Sequence, residues 1–247
     1  MRLAMSQSNY IPWRGYFDLI ASVDAFVIYD EVQYTKADWR NRNRVKTCNV
    51  VKWLSVPVHF SHTCPSLIRD TEIASSNWSR KHWHTIDQAY CKAPHFSFAA
   101  PILEELLARP FRTISELNIA LIRHITSLLG ITTPISLASD YEPVSGKLTR
   151  SADICAQIGA TVYVSGPRGR DYLDPAVFAD RGIGLEWFDY SEYPEYPQLW
   201  GAFVPEVSVI DLLFNCGAEA GRYMKHLLPI HHTEDGYHNS GSARCGV

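Results

Sequence analysis

The chain has 247 residues, a formal charge of −3, a hydrophobic fraction of 46% and seven tryptophans. That length and composition suit one large domain with a sizeable buried core. The mildly negative charge argues against a nucleic-acid binder that works by bulk electrostatics, so any phosphate site must be local.

Arg2 to Met5 reads as a short strand, and Ser6 to Gly15 as a loop holding Pro12. Tyr16 to Ala21 has helical spacing, and Ala25 to Tyr29 is apolar and strand-like. Strand, loop, helix, strand is a βαβ signature. The parallel sheet it implies places its loops at the carboxyl ends of the strands, where α/β folds bind ligands. Residues 6–15 and 30–44 are two such loops and should lie side by side.

The segment from Tyr29 to Arg44 is too polar for a core and too aromatic for a plain surface loop. It carries Asp30, Glu31 and Asp38, the cations Lys36, Arg40, Arg42 and Arg44, the amides Asn41 and Asn43, and the rings of Tyr29, Tyr34 and Trp39. Planar donors beside aromatic faces suit a ligand with both phosphate and a ring. The competing reading is a solvated loop whose arginines pair with nearby acids. Asp30 and Glu31 beside Gln33 also offer carboxylates to a magnesium ion shared with a phosphate, or one of them orients Arg40 or Arg42.

Trp53 to Val58 predicts a strand that Pro57 pushes to an edge or an end. Ile68 to Ile73 reads as another short strand. A helix follows from Ser76, its expected cap, with Trp78, His82 and Ile86 at steps of four. It ends near Pro94. Phe96 to Leu107 predicts a second helix. Thr113 and Glu116 form a capping box for a third, which runs through Leu129 and stops at Gly130. Ile135 to Ala138 is a strand, Thr149 to Ile158 a helix stopped by Gly159, and Thr161 to Val164 a strand covered on both faces. Gly184 to Phe188 and Val207 to Phe214 complete the pattern as strand and helix.

The fold class is therefore α/β, a mainly parallel sheet with crossover helices. One domain is expected over residues 1–228, with a helical insertion at about 74–130, and residues 229–247 as a flexible polar tail. Six cysteines without C-x-x-C spacing argue for ordinary thiols over a zinc ribbon. No apolar run is long enough to span a bilayer, and the first residues read as a strand rather than a secretory signal. A cytoplasmic protein is expected, without membrane insertion and without a bound metal.

The loop from Ser165 to Tyr172 follows a buried strand and holds Gly166 and Gly169. Glycines that adopt positive φ let successive N–H groups cup an anion, and Arg168 and Arg170 add forked donors. The pattern is neither a Walker loop nor G-x-G-x-x-G; a plain Gly-Pro turn is the rival. His82 is the candidate general base, because imidazole titrates near neutral pH. A structural histidine is the commoner case. Asp211 and Asn215 stand four apart on one helix face and either reach one pocket or cap a helix end. Tyr190, Tyr193 and Tyr196 floor a ring site or belong to an ordered surface loop.

Several of these stretches occur together in one known family. The chain resembles the WbqC-like protein family through S-Q-S-N-Y-I-P-W-R-G-Y-F-D-L-I near its start and F-V-I-Y-D-E-V-Q-Y-T-K-A-D-W-R-N-R-N-R after it. The runs W-S-R-K-H-W at 78–83, K-A-P-H-F at 92–96, Y-V-S-G-P-R-G-R-D-Y-L at 163–173 and V-I-D-L-L-F-N-C-G at 209–217 continue the likeness. It covers roughly residues 3 to 223. Gln7, Asn9, Tyr10, Pro12 and Gly15 match the opening motif, and Asp30, Gln33, Tyr34, Trp39, Arg40, Asn41 and Arg42 the second. His82, Ser165, Gly166, Gly169 and Tyr172 match the later ones, and Asp211, Phe214, Asn215 and Gly217 the last. The resemblance assigns no role to any of them.

What the resemblance implies is a setting: surface-polysaccharide biosynthesis, including O-antigen, on a nucleotide-linked sugar or another amine-bearing intermediate. The leading expectation is an acyl- or aminoacyltransferase acting on the amine of a nucleotide-linked amino sugar. Arg40, Arg42 and the glycine loop would hold the diphosphate, His82 would take the amine's proton, and Asn41 or Asn215 would steady the oxyanion. The donor, a thioester on coenzyme A or on an acyl or peptidyl carrier protein, comes from the setting alone. The alternatives are a nucleotidyltransferase-like, ATP-using enzyme, although the H-x-G-H signature is missing, and a non-catalytic sugar-nucleotide binding module. All require the distant segments to converge, with Arg42, His82 and Ser165 sharing one cleft.

Overall fold

Strand β1 (Arg2–Ser6) is apolar at three successive positions because it is covered on both faces. A computed structural model describes residues 1–61, 63–142 and 149–227. In it β1 lies at the centre of a five-stranded parallel sheet, flanked by β2 (Ala25–Ile28) and by the strand Val162–Ser165. Between them in the chain come helix α1 (Arg14–Ala21), a hairpin of β3 (Arg42–Lys46) and β4 (Val51–Ser55), helices α2 (Trp78–Tyr90), α3 (Phe96–Ala108) and α4 (Ile114–Leu128), strand β5 (Ile135–Leu137) and helix α5 (Arg150–Ile158). Val162–Ser165 is therefore β6; helix α6 (Pro175–Ala179), strand β7 (Gly184–Trp187) and helix α7 (Val209–Cys216) follow it.

Side chains alternate across the sheet with the period of two that a strand imposes. Ala4, Phe26, Ile28 and Val164 face a large core with Phe17 and Ile20 of α1, Leu117 and Leu121 of α4, and Phe214 of α7. Leu3, Met5, Val27 and Tyr163 face a smaller core with Ala152 and Cys155 of α5 and Phe178 of α6. Helices α2 and α3 contribute Ile86, Tyr90, Leu103 and Leu106 to the large core, so the inserted helices share it.

The strand order is β5-β2-β1-β6-β7, all parallel. Counting only these five strands in chain order gives 3-2-1-4-5, which follows the first five positions of the 3-2-1-4-5-6 order of dinucleotide-binding sheets. The chain leaves β1 toward β2 and β5 by helices on one face, and continues from β6 to β7 by helices on the other. The direction reverses between β1 and β6, the switch point outside whose carboxyl edge sheets of this kind bind their ligands. Among the described residues no helix is long and apolar enough to cross a membrane.

The local signals acted largely as expected. The Thr113–Glu116 capping box closes α4, and Gly130 (φ 70°) and Gly159 (φ 75°) stop α4 and α5 in the left-handed region. Four expectations are corrected. Residues 42–46, read as the end of a loop, form β3 against β4. Strand β4 ends at Ser55, before Pro57, which cannot donate to a ladder. Residues 68–70 form a helical turn, not a strand, because Thr71 Oγ1 donates to the Leu67 carbonyl and folds the chain back. Only single bridges, Val58 to Ile73 and Glu72 to Thr113, remain there. Ser76 does not cap α2: no side chain caps that helix, and the Ser76 carbonyl accepts from Ser79 Oγ. The tail expected at 229–247 lies outside the described residues.

Candidate functional site

The loops after β1 and β2 lie against each other as the βαβ reading requires. Tyr29 N donates to the Ser6 carbonyl at 2.9 Å, Ser8 N to Asp30 Oδ1 at 2.8 Å, and Tyr10 N to the Trp39 carbonyl at 2.9 Å. Asp30 is buried, and its other oxygen accepts from Ser115 Oγ at 2.5 Å. Asn118 of α4 donates to both Ser8 Oγ, at 3.2 Å, and the Arg40 carbonyl, at 2.8 Å. The crevice wall is thus fixed from below by a buried carboxylate, a hydroxyl and an amide.

On that wall the Arg40 guanidinium is held by two neutral acceptors. Its Nη2 donates to Gln7 Oε1 at 3.0 Å, and its Nη1 to Asn9 Oδ1. Amide oxygens orient the fork without cancelling its charge. The acid nearest to it, Asp38, stands 3.9 Å away. Asp38 accepts from Thr35 Oγ1 and from Trp39 N, both at 2.7 Å. Burial pushes its pKa up, but the Thr35 hydroxyl, the Arg40 charge, the Trp39 N–H and the charge of Arg168 together hold it below the usual carboxylate range. Arg168 lies on the loop after β6, and its charge is the weakest of these influences on Asp38.

That loop is built differently from the expected anion cup. Gly166 has φ −63°, neither of its glycines adopts positive φ, and Pro167 to Asp171 form a helical turn in which Gly169 N donates to the Gly166 carbonyl. Gly169 is needed for close approach instead: a Cβ there would meet Ser165 Oγ at 2.3 Å and the Trp187 ring at 2.7 Å. Ser165 is buried, Arg170 lies 5.3 Å over Trp187, and Tyr172 is 67% exposed. The Tyr190 ring runs beside Gly166. Tyr16, whose Oη donates to the Gln7 carbonyl at 3.1 Å, is buried and lies within electrostatic reach of Asp30, Arg40 and Tyr190. Tyr193 and Tyr196 turn away: Tyr193 Oη donates to Asp18, and both rings pack on the Arg14 guanidinium.

Between β1 and α1 the backbone is strained. Ile11 has φ 36°, a region a β-branched side chain rarely enters. Its carbonyl accepts from Asn43 Nδ2 at 2.8 Å and from Ser208 Oγ at 2.7 Å.

Several expected site residues lie elsewhere. His82 is buried, with Nδ1 2.8 Å from Tyr10 Oη and its ring 5.1 Å from that of Trp78. Burial, partly offset by a hydrogen bond with the Ser55 backbone, lowers its pKa to about 4, so it is a neutral core imidazole. Asn41 Nδ2 donates to the Val56 carbonyl. Asn215 Nδ2 donates to the Asp211 carbonyl, and Asp211 accepts from Tyr90 Oη at 2.8 Å. Burial raises the pKa of Asp211 above the usual carboxylate value. Tyr34 is buried beside Phe60, Lys36 Nζ lies 5.9 Å over the same ring, and Gln33 bridges to Leu67. Glu31 pairs with Arg69 and Arg150 while Asp30 serves Ser8 and Ser115, so these two carboxylates do not fit a shared magnesium. Among the described residues no group of three or more His, Cys, Asp or Glu side chains is placed to hold a metal.

Arg42 lines a separate cleft with Trp39, Arg44, Trp53 and Glu206, and Asp38 borders it too. Neither His82 nor Ser165 reaches it, so the three residues expected to share one cleft do not. What the hydrogen bonds and charges do bring together is Gln7, Asn9, Asp38 and Arg40, on the loops after β1 and β2. Ser115, Asn118 and Tyr16 join that region without having been singled out in the sequence, whereas Tyr190 was named there as a ring-site candidate.

Comparison with known proteins agrees with the likeness in the motifs. A model described as the WbqC-like protein family matches residues 7–223. The chain is 48% identical over 226 residues, 91% of its own length and 98% of the relative's, to a Mycobacterium tuberculosis (strain ATCC 25618 / H37Rv) protein named "Uncharacterized protein Rv1507c". No solved structure matches.

Proposed function

The chain belongs to the WbqC-like protein family, and from that premise we propose that it is a biosynthetic transferase. In this reading it binds a phosphorylated, ring-bearing small molecule at the β1/β6 rim. The ligand is a nucleotide-linked amino sugar or a similar amine-bearing intermediate, and the product is its N-acyl or N-aminoacyl derivative. The observation that supports it most is the Arg40 fork, held open by Gln7 and Asn9 where the sheet reverses direction. Arg40 and Arg168 hold the phosphate charge. Asp38, kept ionised, takes the ammonium form of the acceptor and orients it.

The donor is a thioester on coenzyme A or on an acyl or peptidyl carrier protein. The bound ammonium first gives one proton to bulk water; the free amine nitrogen then forms its bond to the acyl carbon, the carbon–sulfur bond breaks, and the nitrogen's second proton ends on the departing thiolate. His82 takes no part, because it is buried against Tyr10 and Trp78.

The strand order favours a second reading, in which ATP activates a carboxylate and releases pyrophosphate, since 3-2-1-4-5 sheets bind nucleotides at this edge. The two separate in one experiment. The purified chain is mixed with amino-sugar nucleotides and thioester donors, or with ATP and free acids, and the products are weighed. A gain of the acyl mass from a thioester supports transfer, pyrophosphate release supports activation, and no product with any donor overturns both.

A further inference from the structure

Beside the rim, where the loop after β2 meets the hairpin, lies a cleft of about 340 Å3. Trp39 and Trp53 wall it, with ring centroids 5.5 Å apart and planes at 36°. They are 41% and 42% exposed. Two adjacent half-bare indoles on one concave surface mark a binding face rather than a scattered apolar residue. The hairpin register produces it. Arg44 pairs directly with Trp53 and Arg42 with Ser55, so Arg42, Arg44 and Trp53 stand on one face, while Asn43, Val45 and Leu54 turn into the core.

The arginines complete the surface. Arg42 Cζ lies 4.3 Å from the Trp53 ring, and Arg44 Cζ lies 5.5 Å from Trp53 and 5.9 Å from Trp39. Arg44 is paired with Glu206 at 2.5 Å. Arg42 has no acid partner among the described residues, and its Nε is buried without a hydrogen-bond partner. The face therefore offers aromatic planes, a guanidinium plane and in-plane donors together. Stacked rings sit about 3.5 Å apart, so a ring between the two indoles would need about 7 Å. At 5.5 Å a ligand must lie against them, with its edge toward Arg42.

We propose that this cleft seats the planar heteroaromatic base of a nucleotide whose phosphates occupy the Arg40 rim. Asp38 joins the two subsites, since it borders the cleft and lies 3.9 Å from Arg40. Only the phosphate end rests on the reading given above. The base end stands on the tryptophan and arginine geometry. It fixes the ligand class as a nucleoside phosphate rather than a simple sugar phosphate.

The test uses tryptophan fluorescence of the full chain, titrated with pyrophosphate, uridine, adenosine, their 5′-diphosphates and methyl glucoside. At least one nucleoside diphosphate should bind roughly 5- to 150-fold more tightly than pyrophosphate, the worth of one base stack. Trp53→Leu should remove that advantage and leave pyrophosphate binding unchanged. Arg40→Gln should weaken pyrophosphate while free nucleosides still quench. Equal affinity for pyrophosphate and every diphosphate in the wild-type chain overturns the proposal and needs no variant. So does quenching by methyl glucoside as strong as that by the nucleosides. Nucleoside binding without pyrophosphate binding sustains the base subsite and overturns the phosphate rim instead.

Discussion

Arg40 and Asp38 oppose each other across 3.9 Å within one loop, a distance at which their charges interact but no hydrogen bond closes. The guanidinium gives its short bonds to the neutral side chains of Gln7 and Asn9 instead. Its charge is therefore available to an incoming anion. Arg40→Gln should raise the Kd for pyrophosphate roughly 10- to 100-fold, and Arg40→Lys should recover only part, because an ammonium cannot reproduce the fork. Asp38→Asn should move affinity the other way and steepen its salt dependence. Calorimetric titration at two ionic strengths checks both.

His82 gives the protein a pH dependence of stability, not of turnover. Its pKa in the fold, about 4, is below the unfolded value of 6.5. Between those values the unfolded chain binds the extra proton, so stability is complete above pH 6.5 and declines as pH falls toward 4, by up to about 3 kcal/mol. Denaturant melts at pH 7 and pH 4.5 should show a smaller drop for His82→Gln than for the wild-type chain. Ligand binding by the variant at pH 7 should stay within about twofold. A large loss of binding without a stability change would restore His82 to the site.

How much of this was legible in the sequence depended on which force set each element. The sheet and its helix stops were legible because apolar runs and left-handed glycines act locally. The hairpin was not. Its inward positions include Asn43, whose amide bonds the carbonyls of Tyr10 and Ile11, so β3 shows no apolar alternation. The stripe of Trp78, His82 and Ile86 did signal a buried face, and a histidine in such a stripe is a packed one. Ser115 and Asn118 carried no signal, because their value lies in partners far away in the chain. Trp53 and Glu206 enter their cleft only through register and tertiary packing.

Gly169→Ala should loosen the loop after β6. The new Cβ would lie 2.3 Å from Ser165 Oγ and 2.7 Å from Trp187, so something must shift. The expected cost is about 1–3 kcal/mol, typical of overpacking. The melting temperature measures it. The accompanying displacement of Arg168 should weaken anion binding beyond what stability explains, read as a raised Kd well below the melting point.

Ser115→Ala removes one of the two hydrogen bonds to the buried Asp30 carboxylate. A bond to a charged group is worth about 1.5–3 kcal/mol, and denaturant unfolding at pH 7 should show a loss in that range. A loss below about 0.5 kcal/mol would mean that the hydroxyl serves packing alone.

Ile11 stands in a backbone shape that costs about 1–3 kcal/mol and persists only where its surroundings insist on it. Asn43 from the hairpin and Ser208 from the foot of α7 both grip its carbonyl. The lip of the crevice is consequently clamped from two remote parts of the chain before any guest arrives. A visitor finds the groups on that lip already arranged, and little of its affinity is lost to tidying a loose segment.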